Sequence, residues 1–323
     1  MSQLPVLTLA ALLAASGPTA HLYVAGYARG ALQIVRFPFV DGVPAGRPDL
    51  RYQNLVPPIG VGRDGTFYAT VPLACCSGLG QIDVFGPDSN KPERQITLPN
   101  LNQDTTIVTA IAEGPGGFLY VGYAAFQSGA REPRAPRNAP LQGVAVYPPD
   151  ANGGAPPVQM FDVPLDVAGP LALAFDPRGY LYIATTNSFD DHNRIYTVAD
   201  ALHDPHVIRE LDLPYGVRAF GLEVSDGGRN LYAQTFGSPQ AEIAVYPYGA
   251  SGRARPARTI AIAQSSLGPV YGFGIAGPNA YVGLYANPAG VLGYEKHASG
   301  SPSPDYSLPL PNFVSIEGVA VGP

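Results

Sequence analysis

A tyrosine-centred tetrapeptide that returns six times, four short strand patterns in each repeat, and a chain that begins and ends part-way through a repeat together predict an all-β fold: a six-bladed β-propeller of four-stranded antiparallel blades. The tetrapeptide is an apolar or aromatic residue, Tyr, a small or branched residue, and then most often Ala or Gly. Its copies are Leu22-Tyr23-Val24-Ala25, Phe67-Tyr68-Ala69-Thr70, Leu119-Tyr120-Val121-Gly122, Leu181-Tyr182-Ile183-Ala184, Leu231-Tyr232-Ala233-Gln234 and Ala280-Tyr281-Val282-Gly283. The tyrosines lie 45, 52, 62, 50 and 49 residues apart, a period that repeat architectures show.

The elements of one repeat follow in order. A short apolar stretch ending in a turn precedes the tetrapeptide, as in LALAFDPRG (171–179) and GLEVSDGG (221–228). A strand of alternating character follows it and ends on an aromatic residue and Pro, as in Gly143 to Pro148 and Glu242 to Pro247. After a Gly/Ala/Pro-rich turn comes a fourth short strand such as Arg258-Thr259-Ile260-Ala261. One such sheet cannot bury both faces, whereas six arranged radially bury each face on the next. Beyond its apolar first segment the chain opens with a second strand (Leu22-Tyr23-Val24). It closes with Glu317 to Pro323, which matches a first strand. The last strand is therefore expected to complete the blade the first one began, closing the ring and removing a free edge. Residues 21–323 form one domain on this reading, and a monomer is expected.

Composition supports this architecture. With 38 Gly and 35 Pro in 323 residues, turn formers stand at about twice their usual share of roughly 12%. Hydrophobic residues make up 46% and charged residues 14%, which disfavours a disordered chain, a helical bundle or a coiled coil. The net charge is −6 and only two lysines occur, Lys91 and Lys296, so no basic face for nucleic acid is expected. The apolar run Leu4 to Ala15 is too short to span a bilayer. Residues 1–20 read as a secretory signal, with small residues Ala14 to Ala20 where cleavage would fall, or as an apolar tail. The first reading implies a secreted or periplasmic protein.

Two segments carry a family resemblance. LYIATTNSFDDHNRIYT (181–197) resembles the NHL-type repeat, and EIAVYPYGASGRARPARTIA (242–261) resembles bacterial propellers related to the NHL and SMP-30/gluconolactonase-like group. The resemblance covers nearly all of 21–323. It implies a propeller that serves as a lactonase, a lyase or a plain binding scaffold. An SMP-30-like lactonase would hold a divalent ion, Ca²⁺ or similar, on Glu, Asp and Asn side chains around the axis. The residues aligned at the starts of the inner strands are Pro57, Thr109, Leu171, Phe220, Phe273 and Glu317, of which only Glu317 is a carboxylate. Asp104 and Asp166, with Asn54, Asn102 and Asn312, lie in nearby loops. This departure from a ring of ligands weighs against lactonase activity.

The remaining candidates sit in loops. Those joining second to third strands share a face with those linking one blade to the next, and blades 2, 3 and 4 carry the long ones. Blade 2 offers Cys75-Cys76, either a strained vicinal disulfide or two thiols. Blade 3 offers Arg131, Arg134 and Arg137 in a Pro-rich stretch, suited to an anionic ligand or to a plain solvated loop. Blade 4 offers Asp190, Asp191 and His192 beside Asn193, either oxygen and imidazole ligands or a polar turn. Arg218, Tyr215 and Tyr271 lie near inner-strand starts, a composition common at binding sites. The five histidines, His21, His192, His203, His206 and His297, fall in turn-like stretches, and no nucleophile elbow or metalloprotease motif occurs. The leading expectation is a non-catalytic, extracytoplasmic propeller binding a protein or small anionic ligand on the loops of blades 2–4. The alternative is a metal-dependent hydrolase centred on Glu317.

Overall fold

The structure, a computed structural model, describes residues 20–28, 30–72, 78–99, 105–126, 142–162, 169–186, 192–237, 241–262, 272–284 and 289–323. Alternating apolar residues and Gly/Pro/Asp punctuation make short antiparallel strands, and these assemble into six sheets. From the axis outward, blade 2 is Val56–Val61, Phe67–Pro72, Gly78–Phe85 and Arg94–Thr97, and blade 3 is Thr105–Glu113, Leu119–Phe126, Gln142–Tyr147 and Gln159–Phe161. Blade 4 is Pro170–Phe175, Leu181–Thr185, Arg194–Ala199 and His206–Asp212. Blade 5 is Arg218–Ser225, Asn230–Phe236, Ala241–Pro247 and Arg258–Ala261, and blade 6 is Phe273–Ala276, Asn279–Leu284, Gly290–Glu295 and Tyr306–Pro309.

Blade 1 is built from both ends of the domain. Its inner strand is Phe313–Gly322, paired antiparallel with His21–Ala28; Ala31–Val40 and Leu50–Gln53 follow, and the two-residue strand Val43–Pro44 pairs with the end of Ala31–Val40. Each inner strand packs on the inner strands of both neighbouring blades, so the ring is closed. Among the described residues no helix is long and apolar enough to cross a membrane.

The core is distributed between blades. Among the described residues the buried apolar side chains form six clusters, one at each junction of neighbouring blades. All six repeat tyrosines are buried there, so they pack blade on blade. His21 and His206 are the first residues of the strands His21–Ala28 and His206–Asp212 and so do not lie in turns.

Polar staples tie the blades together near their outer edges. Arg36, only 4% exposed, makes a two-pronged contact with Asp49 (3.1 and 2.6 Å) in its own blade and reaches Asp88 and the Pro87 carbonyl in blade 2. Arg94 donates to the Ala151 carbonyl of blade 3 (2.9 Å) and Arg258 to the Lys296 carbonyl of blade 6 (3.0 Å). Tyr306 donates to the Pro44 carbonyl of blade 1 (2.7 Å). Arg94, Arg258 and Tyr306 share one register position at the start of a fourth strand, opposite Val84, Val245 and Gly293.

A backbone stitch adds to these staples. Gly153, Gly252 and Gly300, in the last hairpin turns of blades 3, 5 and 6, each exchange two backbone hydrogen bonds with the outer strand of the preceding blade. All three have positive φ (+61°, +58° and +75°), the region glycine tolerates. Gly252→Ala is expected to destabilise the fold by about 1–2 kcal/mol. Gly154→Ala, in open space at ordinary φ, is expected to stay within about 0.5 kcal/mol. Urea denaturation of both variants checks this, and equal midpoints would refute the stitch.

Candidate functional site

The six inner strands enclose an axial cavity of about 610 Å³. Its wall is built by a repeated device. In blades 3, 4 and 5, and at one of the two breaks in blade 1, the ladder between first and second strands skips one residue, respectively Thr109, Leu171, Phe220 and Glu317. In blade 2 two residues are extra, Pro57 and Pro58. A β-bulge re-aims the side chain it inserts. All of these residues line the cavity, so five of the aligned positions belong to one ring as expected.

Blade 6 corrects the sixth. Phe273 pairs with Val282, the third residue of its tetrapeptide, so it belongs deeper in the lumen than Glu317. The residues that precede Gly272, Tyr271 among them, lie outside the described residues. The hairpin of blade 6 is shorter than its counterparts, and an alignment by strand appearance slips there.

The register assigns every inner residue a level. Opposite the third tetrapeptide residue stand Val319, Ile59, Ile111, Leu173, Leu222 and Phe273, an unbroken apolar ring. Opposite the tyrosine stand Ala320, Gly60, Ala112, Ala174 and Gly274 in five blades. The inner strands converge there: a Cβ on Gly60 would meet Ile111 at 2.8 Å, and one on Gly274 would meet Val321 at 2.4 Å. In blade 5 the residue at this level is Glu223, which lines the cavity.

Glu223 is the unusual group of the lumen. Among the described residues nothing donates a hydrogen bond to it, and burial alone pushes its carboxyl up to about 8. It keeps some accessible area, but that area borders the lumen rather than bulk water, so desolvation dominates. Glu317 is half-buried, accepts a hydrogen bond from Ser315 Oγ (3.2 Å) and is likewise raised by burial. The third carboxylate on the wall, Glu113, is engaged: it accepts from the Arg63 backbone N–H (3.1 Å) and the Tyr68 hydroxyl (3.2 Å).

Of the other sequence candidates, Asn54 and Asn312 are exposed and are not part of the cavity wall. His192 packs edge-on against Tyr215, with ring centroids 5.8 Å apart. Tyr215 is 72% exposed and sits on a turn fixed by buried Asn193, whose side-chain amide donates to the Val217 carbonyl (2.8 Å). Arg218 opens the inner strand just after this turn. The structure thus joins His192 to Tyr215 near the start of blade 5. Cys75, Cys76, Asp104, Arg131, Arg134, Arg137, Asp166, Asp190 and Asp191 lie outside the described residues, as does Tyr271.

On the bulge ring Glu317 faces Pro57, Thr109, Leu171 and Phe220, and among the described residues no three His, Cys, Asp or Glu side chains come together. Among the described residues the ring offers a hard cation the Glu317 carboxylate and the Thr109 hydroxyl, short of the six or more oxygens such an ion takes.

No protein-family model matches the chain, and no curated protein matches it. Solved structures do. The crystal structure of a nidogen/laminin complex contains a chain 16% identical, with a TM-score of 0.62 over 94% of this chain and 98% of that one. A protein of unknown function from Bacteroides caccae is 9% identical with a TM-score of 0.59, over 94% and 98% of the two chains. A Bacteroides fragilis protein thought to be a 6-phosphogluconolactonase is 14% identical with a TM-score of 0.56, again over 94% and 98%. At such identities the likeness shows the fold alone. The chain is a six-bladed β-propeller.

Proposed function

We propose that this propeller is a non-catalytic ligand-binding protein whose ligand enters the axial lumen from the face carrying the inter-blade loops. The observation that supports it most is the cavity itself. At about 610 Å³ it has the size of a small-molecule site, and its wall presents polar and apolar surface in near-equal measure. Five blades insert bulge residues into it. The long loops of blades 2–4, with Arg131, Arg134, Arg137 and the Cys75-Cys76 pair, would form the rim on this reading. The apolar Leu4 to Ala15 run supports an extracytoplasmic location.

Ligand-observed NMR with a library of small fragments tests the reading. Fragments are expected to bind residues 21–323 and to lose at least tenfold in affinity in Leu171→Trp, which narrows the lumen at the bulge ring. If no fragment binds, or if binding is unchanged in the variant, the lumen is not the site. Glu317 on the bulge ring favours a second reading, the metal-dependent hydrolase, whose further ligands would be Asp104 and Asp166. A melting temperature that rises in Ca²⁺ over a chelated control, and fails to rise in Glu317→Gln, would support it; no rise would sink it.

A further inference from the structure

The lumen holds two carboxyl levels separated by an apolar one. Glu317 stands on the bulge ring, where the blade 5 counterpart is Phe220. Glu223 follows Phe220 by three residues, of which the bulge takes up part of one, so it stands roughly 7–8 Å further along the strand at the usual rise per residue. Between the two levels lies the ring of Val319, Ile59, Ile111, Leu173, Leu222 and Phe273. Among the described residues no third His, Cys, Asp or Glu joins these two carboxyls to complete a cation site, and the ring between their levels offers a ligand no polar side chain. Its complement is a molecule with positive charge at both ends and methylenes between.

We propose that the lumen binds a linear organic dication of the α,ω-diaminoalkane class, with one ammonium at Glu317, the other at Glu223 and the alkyl chain along the apolar ring. The inference rests on the axial-lumen reading above and names the ligand class for it. Three observations carry it. Glu223 faces the cavity with no protein donor or counter-charge among the described residues, at a level where the other five blades have Gly or Ala. Unpartnered polar groups in an enclosed site are costly, and an ammonium supplies both hydrogen bonds and opposite charge. The other charged groups of the wall do not compete: Glu113 is engaged by Tyr68 and the Arg63 backbone, and the Arg63 residue is exposed. The net charge of −6 favours a cationic ligand over an anionic one. A ligand that spans both levels gains from both charges at the cost of one association.

Calorimetric titration of the full chain with 1,5-diaminopentane, 1-aminopentane and pentane-1,5-diol tests the proposal. The diamine is expected to bind at least tenfold more tightly than the monoamine, and the diol least. Glu223→Gln and Glu317→Gln, both near-isosteric, are each expected to reduce the diamine to the affinity of the monoamine. A diol that binds the wild-type protein as tightly as the diamine would overturn the dication and leave the lumen as a site for neutral ligands. Diamine affinity unchanged in both variants would overturn it as well. If fragments bind the lumen but none of these three probes does, only the present inference fails; if nothing binds, the lumen reading fails with it.

Discussion

Glu223→Gln will stabilise the protein by a few kcal/mol at pH 8.5 and by almost nothing at pH 4. In the unfolded chain this carboxyl titrates near its ordinary 4.5, and in the folded protein near 8. Between those values the native state keeps a proton that the unfolded state has released, so stability falls as pH rises through the window and levels off above it. Gln carries no proton to lose, and its profile lacks that slope. The full shift would correspond to about 5 kcal/mol at roughly 1.4 kcal/mol per unit, and the lumen-facing area of the side chain reduces this to the order of 2–4 kcal/mol. Glu317, raised in the same direction by burial, adds a smaller slope of the same sign. Urea denaturation of wild type and variant from pH 4 to pH 9 measures the difference. Parallel profiles would show that Glu223 is solvated and would remove the physical basis for treating it as a poised ligand group. A gain in stability on losing a carboxyl is the pattern of a residue kept for function at a cost to the fold.

A chain ending at Asn312 will not fold cooperatively. The strand Phe313–Gly322 is the inner strand of blade 1, pairing with every residue of His21–Ala28 and packing on the inner strands of blades 2 and 6. Phe313, Ile316 and Val319 are buried in one cluster with Leu22, Val24, Tyr281 and Val291. Without that strand, His21–Ala28 is left with an open edge and the first and last blades lose the element that joins them. The expected product is aggregated or lacks a sigmoidal thermal transition by circular dichroism. A graded version is Ile316→Ala, fully buried, which should cost about 2–5 kcal/mol. A soluble truncated chain melting near the wild-type temperature would mean that blades 2–6 stand alone and that closure is dispensable.

The strands of blade 5 show how much was legible beforehand. Arg258 to Ala261 was expected as a fourth strand and is one, and Glu242 to Pro247 falls inside Ala241–Pro247. The joining of both ends in blade 1 was expected too, because Leu22-Tyr23-Val24 lacks a preceding strand pattern and Glu317 to Pro323 lacks a following one. The burial of the six tyrosines followed from their period. Pro57, Thr109, Leu171, Phe220 and Glu317 were aligned beforehand as starts of inner strands; that they are bulge residues, with Thr109 and Glu317 in mid-strand in Thr105–Glu113 and Phe313–Gly322, was not legible.

Glu223 was not found, although it is the most perturbed group of the lumen. In blades 2, 3 and 4 the residue facing the tyrosine lies eight positions before it (Gly60, Ala112, Ala174), but in blade 5 it lies nine before and in blade 6 seven. Those one-residue differences in hairpin length move Glu223 to a level where the fold otherwise has Gly or Ala, and they displace Phe273 from the ring it seemed to join. The sequence by itself determined what depends on local chemistry: strand periodicity, turn punctuation, the number of blades and the closure of the ring. Only the tertiary structure decided which side chains share a level of the lumen. A one-residue change in a turn or bulge barely alters a strand's local pattern, yet it moves every later residue of that strand by about 3.3 Å and to the opposite face.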